Sequence, residues 1–502
     1  MRKHLEGDNS NLASAVHGSL RLRSGQASSP RTDFSFSVHP EPIEGCVTAP
    51  TRFRWCRRPI SGIIALSLAL SACSLAPNYQ RPQMALPTGW SSVAGVGTAQ
   101  QSAATPFWQD LGSSDLNRLI DNALAQNLDL EAALHRIEQA RAQAKVAAAP
   151  LYPTINASGS ASRTYQNPQD TNAVRGGGSI SYEVDLWGKN RNQAKSADYR
   201  VDASQFDREA LRLVVTSDAT NFYSQILSFN DRIRIAELNL TNAEEILRIV
   251  EARFSAGSVS GLEVSQQRVV VNGFRTSLAS LIEQRSTTAN ALATLLGLAP
   301  QNFAPPTAEL ATVKLPQVNL TPPATLLTAR PDIESAEAGL RAANADIGVA
   351  RAAFFPSLTL GLDSAISAGF GGPAAAATQI ASSLLAPIFT GGQLTGNLEN
   401  VTARQKELAV QYRQTVLVAF QEVEDALAAL KSNNDRAVLT RATVTESQIA
   451  YDIAKARFDA GAVDYLSLLE TQRSLYQAQD NQISVNLGQI QSFVQLRKAL
   501  GT

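Results

Sequence analysis

From Ser179 to Trp187 polar and apolar residues alternate, which places Ile180, Tyr182, Val184 and Leu186 on one face of a strand and Ser181, Glu183 and Asp185 on the other. After Gly188 the period becomes helical, and neither Pro nor Gly interrupts the run from Lys189 to Ala256. Such a helix is roughly 100 Å long, a rod for which a compact soluble domain has no use. In its lower half, apolar positions recur in steps of four and three at Phe222, Ile226, Phe229, Ile233, Ala236, Leu240, Ala243, Leu247, Val250 and Phe254. That is the seam of a coiled coil.

The plan then recurs. Pro153 and Pro356 lie 203 residues apart, as do Gly188 and Gly391; Phe254 and Phe458, Gly257 and Gly461, and Gly297 and Gly501 lie 204 apart. One offset shared by five landmarks predicts a tandem duplication. The first repeat is expected over 115–297, with strands 154–166 and 174–187 and long helices 189–256 and 261–296. A Pro-rich linker at 298–331 precedes the second repeat, 332–502, with strands 357–368 and 378–389 and long helices 393–460 and 464–500. Its seam, Ala426, Leu430, Asn433, Ala437, Thr440, Val444, Ser447, Tyr451, Ala454 and Phe458, carries fewer large apolar residues. Less apolar burial per turn predicts a looser coil there.

The N-terminal part adds a targeting signal. Arg52, Arg54, Arg57 and Arg58 precede an apolar stretch from Ile60 to Leu70, too short to span a bilayer, and Leu70-Ser-Ala-Cys73 follows. Those four residues resemble a bacterial lipobox, which implies cleavage before Cys73 and its lipidation. Ser74, where an Asp would favour inner-membrane retention, favours the outer membrane. Residues 1–72 thus read as an extension plus lipoprotein signal peptide; the polar, unpatterned first 50 look like a start-site artefact or a nonfunctional extension. Residues 73–114, rich in Pro, Gly, Ser and Gln, read as a lipidated extended tether, with Trp90 and Trp108 placed to pin it.

Composition narrows the chemistry. Formal net charge is zero, with no charged tail, so nothing points to nucleic acid. Beyond the leader only Cys73 and His135 remain of their kinds. No zinc site, Cys/His pair or Ser-His-Asp triad can be assembled from them, and neither enzyme activity nor a cofactor or metal is expected.

Four strands are too few to close a membrane barrel, which takes at least about eight. Closure must come from other subunits, with the apolar strand face toward lipid and Ser181, Glu183, Asp185, Thr359 and Asp363 toward a wet lumen. The fold class expected is mainly α with a small transmembrane β part.

Four sets of residues carry a family resemblance: Glu183-Val-Asp-Leu-Trp-Gly-Lys-Asn-Arg191, Leu327-Thr-Ala-Arg-Pro-Asp-Ile333, Ala350-Arg-Ala-Ala-Phe-Phe-Pro-Ser-Leu358, and the paired turns Ala252-Arg-Phe-Ser-Ala-Gly257 and Ala456-Arg-Phe-Asp-Ala-Gly461. Over nearly the whole mature chain the sequence resembles the TolC family of outer-membrane efflux proteins, in particular its lipoprotein branch, the OprM or NodT type. The resemblance implies a homotrimer with a 12-stranded β-barrel and a 12-helix periplasmic α-barrel. It also implies a periplasmic adaptor and an inner-membrane resistance-nodulation-division (RND) transporter as partners. The function expected is an exit duct for efflux, the alternative being the outer-membrane part of a type I protein secretion system.

By motif match the adaptor-docking tips are Arg253, Phe254 and Gly257 and Arg457, Phe458 and Gly461; the same residues also serve to end helices. A resting gate at that tip draws attention to Asp452, Asp459 and above all Asp464, which read equally well as solvated surface charges. Trp187 suits either a membrane-interface belt or packing on the helix behind it. Arg330-Pro-Asp332 reads as structural, a helix start.

Overall fold

The structure of the chain, a computed structural model, describes residues 74–91, 106–165, 167, 170–318, 320–369 and 372–502. Cys73, with 1–72, and tether residues 92–105 lie outside the described residues. Helices α1 (Ser114–Gln126) and α2 (Leu128–Ala148) lead into strands β1 (Thr154–Thr164) and β2 (Thr171–Val184), then into the long pair α3 (Lys189–Ser255) and α4 (Gly261–Leu295). After the linker, α5 (Pro331–Ala352), β3 (Ser357–Gly369), β4 (Ala375–Leu385), α6 (Gln393–Asp459) and α7 (Tyr465–Leu500) repeat the order. Both α3 and α6 have 67 residues, about 100 Å of helix each.

The duplication extends to backbone conformation and contacts. Gly188, Gly257 and Gly297, like their counterparts Gly391, Gly461 and Gly501, have φ between 58° and 79°, a region that suits glycine. A Cβ on Gly297 would collide with the Gln126 carbonyl oxygen, and one on Gly501 with that of Ala329. Those two carbonyls are themselves 203 residues apart.

The four strands form one antiparallel sheet in the order β1-β2-β3-β4. Its register sorts the faces. Ile155, Ile180, Leu362 and Ile380 are paired across all four strands, and one step along, Asn156, Ser179, Asp363 and Gln379 are paired likewise. Successive residues point to opposite sides, so one face is apolar and the other polar. β1 and β4 are exposed along their whole length, and among the described residues no strand lies beside their outer edges.

Strand limits differ from the sequence reading for local reasons. β2 begins at Thr171, opposite Thr164 of β1, and stops at Val184 because Asp185 turns away to cap α3. β4 begins at Ala375, opposite Ser367, and ends before Pro387, which has no N–H to donate. No helix among the described residues is long and apolar enough to cross a membrane.

The linker is clasped near the middle of α3. Asn230 Nδ2 donates to the Pro306 and Ala308 carbonyls at 2.9 and 3.1 Å, and Asp231 Oδ2 accepts from the Leu310 amide at 3.2 Å. Beneath it lies the main core, containing Phe107, Leu111, Tyr223, Ile226 and Phe493.

Residues 74–91 run without helix or strand and are held by side chains of the repeats. Asn344 donates to the Pro77 carbonyl at 2.7 Å, and the Trp90 indole to the Thr321 carbonyl at 2.8 Å. The centre of this seam is Glu337, only 4% exposed, which takes Arg81 at 2.5 Å, Arg341 at 2.7 Å and the Tyr79 hydroxyl at 3.2 Å. Burial would raise its carboxyl, but hydrogen bonds from Arg81 and Arg341 hold it below the ordinary glutamate value of 4.5. Its contribution is therefore complete above that value and is lost as pH falls through the still lower folded one. Glu337→Ala, which strands Arg81 and Arg341, is expected to free this segment so that limited proteolysis cuts within 74–91 at neutral pH. Wild type should become cleavable there only in acid.

Candidate functional site

The two helical turns joining α3 to α4 and α6 to α7 are built alike. Gly257 donates to the Phe254 carbonyl and Ser258 to that of Arg253, both at 2.9 Å; Gly461 and Ala462 donate to Phe458 and Arg457 at 3.0 and 2.8 Å. These paired bonds close each helix through its left-handed glycine. The returning helices are then capped at matching positions. Ser260 and Glu263 form a capping box on α4, while Asp464 accepts from the Ser467 amide at 2.9 Å on α7.

Their side chains, however, are unequal. Phe458 is 2% exposed, packed with Ile246, Val250, Tyr451 and Tyr465 between the coils, whereas Phe254 is 49% exposed. Arg253 crosses from the first turn to the second, its guanidinium 4.3 Å from the Phe458 ring centroid and 2.9 Å from the Phe458 carbonyl oxygen. Gln267 adds a second crossing at 2.6 Å from the Tyr465 hydroxyl. Two of the six tip residues thus hold the coils of one chain together; Phe254, Gly257, Arg457 and Gly461 face outward. This asymmetry has no signal in the sequence, because Ala-Arg-Phe-x-Ala-Gly occurs in both turns.

The three carboxylates singled out at the second turn are exposed and each has a partner on its own chain. Asp452 accepts from Gln448 at 2.9 Å, and Asp459 pairs with Lys455 at 3.2 Å. Hydrogen bonds from the Ser467 side chain and amide hold the Asp464 carboxyl below the usual range.

At the opposite end of the long helices the lumen face needs correction. Asp185 is not a lumen carboxylate: its oxygens accept from the Asn190 and Arg191 amides at 3.2 and 2.9 Å, where α3 leaves its first N–H groups unpaired. Glu183 is paired with Lys189 at 3.2 Å. Asp363 remains on the polar face, opposite Ser179 and Gln379. Trp187 lies beyond the strand, donating to the Pro356 carbonyl at 2.8 Å and stacking on Phe355 at 4.7 Å between centroids, the residues that lead into β3 rather than the helix that follows Trp187. Bulky exposed side chains at this end of the sheet include Tyr152, Ile388 and Phe389 in the connections and Ile155, Leu384 and Leu385 in the strands.

Arg330 ties the second repeat together. Only 8% exposed, it forks onto Asp332 at 3.0 and 2.6 Å and reaches Glu422 of α6 at 2.7 Å and the Ala499 carbonyl of α7 at 3.0 Å. His135 is exposed on α2 beside Glu138.

A two-faced strand sheet carried on two helices, α3 and α6, each about 100 Å long, defines the class: one subunit of an outer-membrane channel that extends into the periplasm. The chain belongs to the outer membrane efflux protein family, whose sequence model matches residues 119–298 and 323–502, two segments starting 204 residues apart. It is similar to the pyoverdine export outer membrane protein OpmQ of Pseudomonas putida, 38% identical over 463 residues that cover 88% of this chain and 96% of that protein. The cation efflux system protein CusC of Escherichia coli is 32% identical over 449 residues, covering 87% and 97%. Among solved structures, the outer-membrane channel OprN superposes with a TM-score of 0.79 at 26% identity, covering 86% of this chain and 99% of that one.

Proposed function

We propose that three copies of this chain close their sheets into one 12-stranded barrel and their coils into a tunnel across the periplasm, forming the passive exit duct of a tripartite efflux pump. The observation that carries this reading is the sheet. It has an apolar and a polar face but, among the described residues, two unpaired edges, and an open edge in hydrocarbon costs several kcal/mol per unsatisfied group. Three sheets in a ring leave no edge. A lipid on Cys73 anchors each subunit to the outer membrane, and the fixed segment 74–91 leads from that anchor onto α5.

The exposed turns around Gly257 and Gly461 dock a periplasmic adaptor, which links the duct to an inner-membrane RND transporter. Energy comes from that transporter, and the chain itself performs no catalysis. Threefold copies of Asp452, Asp459 and Asp464 place negative charge around the tip, where a resting gate would favour cations. The relatives' names, pyoverdine export and cation efflux, fit a duct whose cargo is chosen by its pump. The polar face, with Asn156, Ser179, Asp363 and Gln379 in one row, is wettable.

The test is the susceptibility of a strain lacking the chain. Sensitivity to several unrelated small molecules or metal salts, reversed by the wild-type chain, is the result expected. Unchanged susceptibility together with loss of a secreted protein from the medium would replace efflux by type I secretion.

A further inference from the structure

The unequal surroundings of the two turns follow from the duplication itself. Within one chain, Arg253 of the first repeat covers Phe458 of the second. Advancing both by one repeat turns Arg253 into Arg457, and Phe458 into the Phe254 of the next copy in a ring. In the single chain those are the two members left outward: Phe254 is 49% exposed and Arg457 is exposed.

We propose that Arg457 lies over Phe254 of the partner subunit and donates to its main chain, so that six Arg–Phe contacts, three within chains and three between them, encircle the tip. The inference rests on the threefold assembly proposed above. Its chemistry is already present in the intrachain pair. A planar guanidinium stacks on a ring face while its N–H groups reach carbonyls at a helix C-terminus, the end that attracts cations. Both turns end their long helices with the same glycine geometry, so the Phe254 carbonyl is presented as the Phe458 carbonyl is. In a ring that alternates first and second repeats, a contact between repeats inside a chain has its counterpart at each chain boundary. The turn glycines lie beyond this ring and stay free to meet an adaptor.

Two double-cysteine variants test it in the full chain, in outer membranes treated with a short bis-maleimide. Phe254→Cys with Arg457→Cys should give covalent dimers and trimers on a denaturing gel. Arg253→Cys with Phe458→Cys should give only an internally linked monomer, and each single-cysteine control should give no ladder. A native trimer in which the Phe254→Cys/Arg457→Cys pair stays monomeric overturns the contact and leaves the trimer standing; absence of any trimer overturns both. As a second measurement, Phe254→Ala and Arg457→Ala, alone and combined, should lower the denaturant concentration for trimer dissociation by nearly the same amount. Fully additive losses would mean that the two residues do not meet.

Discussion

The double variant Gly257→Val/Gly461→Val is expected to reach the outer membrane folded and yet fail to restore resistance to a strain lacking the chain. Both glycines have φ of 74°, where a side chain costs on the order of 1–2 kcal/mol and a β-branched one is a marked outlier. No atom lies within 4 Å of a Cβ built at either site. The strain is therefore relieved by the turn changing shape rather than by the core yielding, since Phe458, Tyr465 and Leu468 pack between the coils above it. Docking depends on that shape. Minimal inhibitory concentrations should fall to those of the deletion strain, with unchanged protein in outer-membrane fractions and loss of adaptor on co-purification. Gly257→Ala alone should keep partial rescue. Full rescue by the double valine variant would remove the turns from the docking surface.

Arg330→Ala should be the most destabilising single change in the second repeat. The substitution leaves Asp332, Glu422 and the Ala499 carbonyl around a site without its cation. Removing one partner of a buried ion pair costs about 3–5 kcal/mol; the lower end applies here, because Asp332 and Glu422 are 38% and 39% exposed. A loss of that size lowers Tm by about 3 °C for a chain of this length, readable by circular dichroism in detergent. Arg330→Lys should recover only part of it, since an ammonium cannot reproduce the fork onto Asp332. An unchanged Tm for Arg330→Ala would contradict this account of the motif.

The architecture was legible in the sequence because it rests on periodicity and on glycine. Alternation at 179–184 gives the two-faced strand, the 3.5-residue repeat gives the coils, and the glycines at offset 203–204 mark positions where the backbone is left-handed in both repeats. Each of these signals is local. What escaped is chemistry between residues far apart in the chain. Arg81 and Glu337 are 256 positions apart and look like two ordinary surface charges until the tether lies along α5. Arg253 and Arg457 sit in identical motifs, and only the placement of the second coil beside the first separates their roles. Asp185 fits the alternating pattern by parity, but the nearby start of α3, with its unpaired amides, draws the carboxylate out of the strand. Asn433 interrupts the second seam by composition, yet its side chain amide donates to the Gly488 carbonyl at 3.0 Å, where the absence of a side chain lets the helices meet.

The most direct measurement is the mass and strand number of the intact particle extracted from outer membranes, by light scattering and single-particle imaging. The account predicts three chains per particle and a closed ring of twelve strands above a tunnel of paired helices. A single chain, or a dimer with open sheet edges, would contradict it.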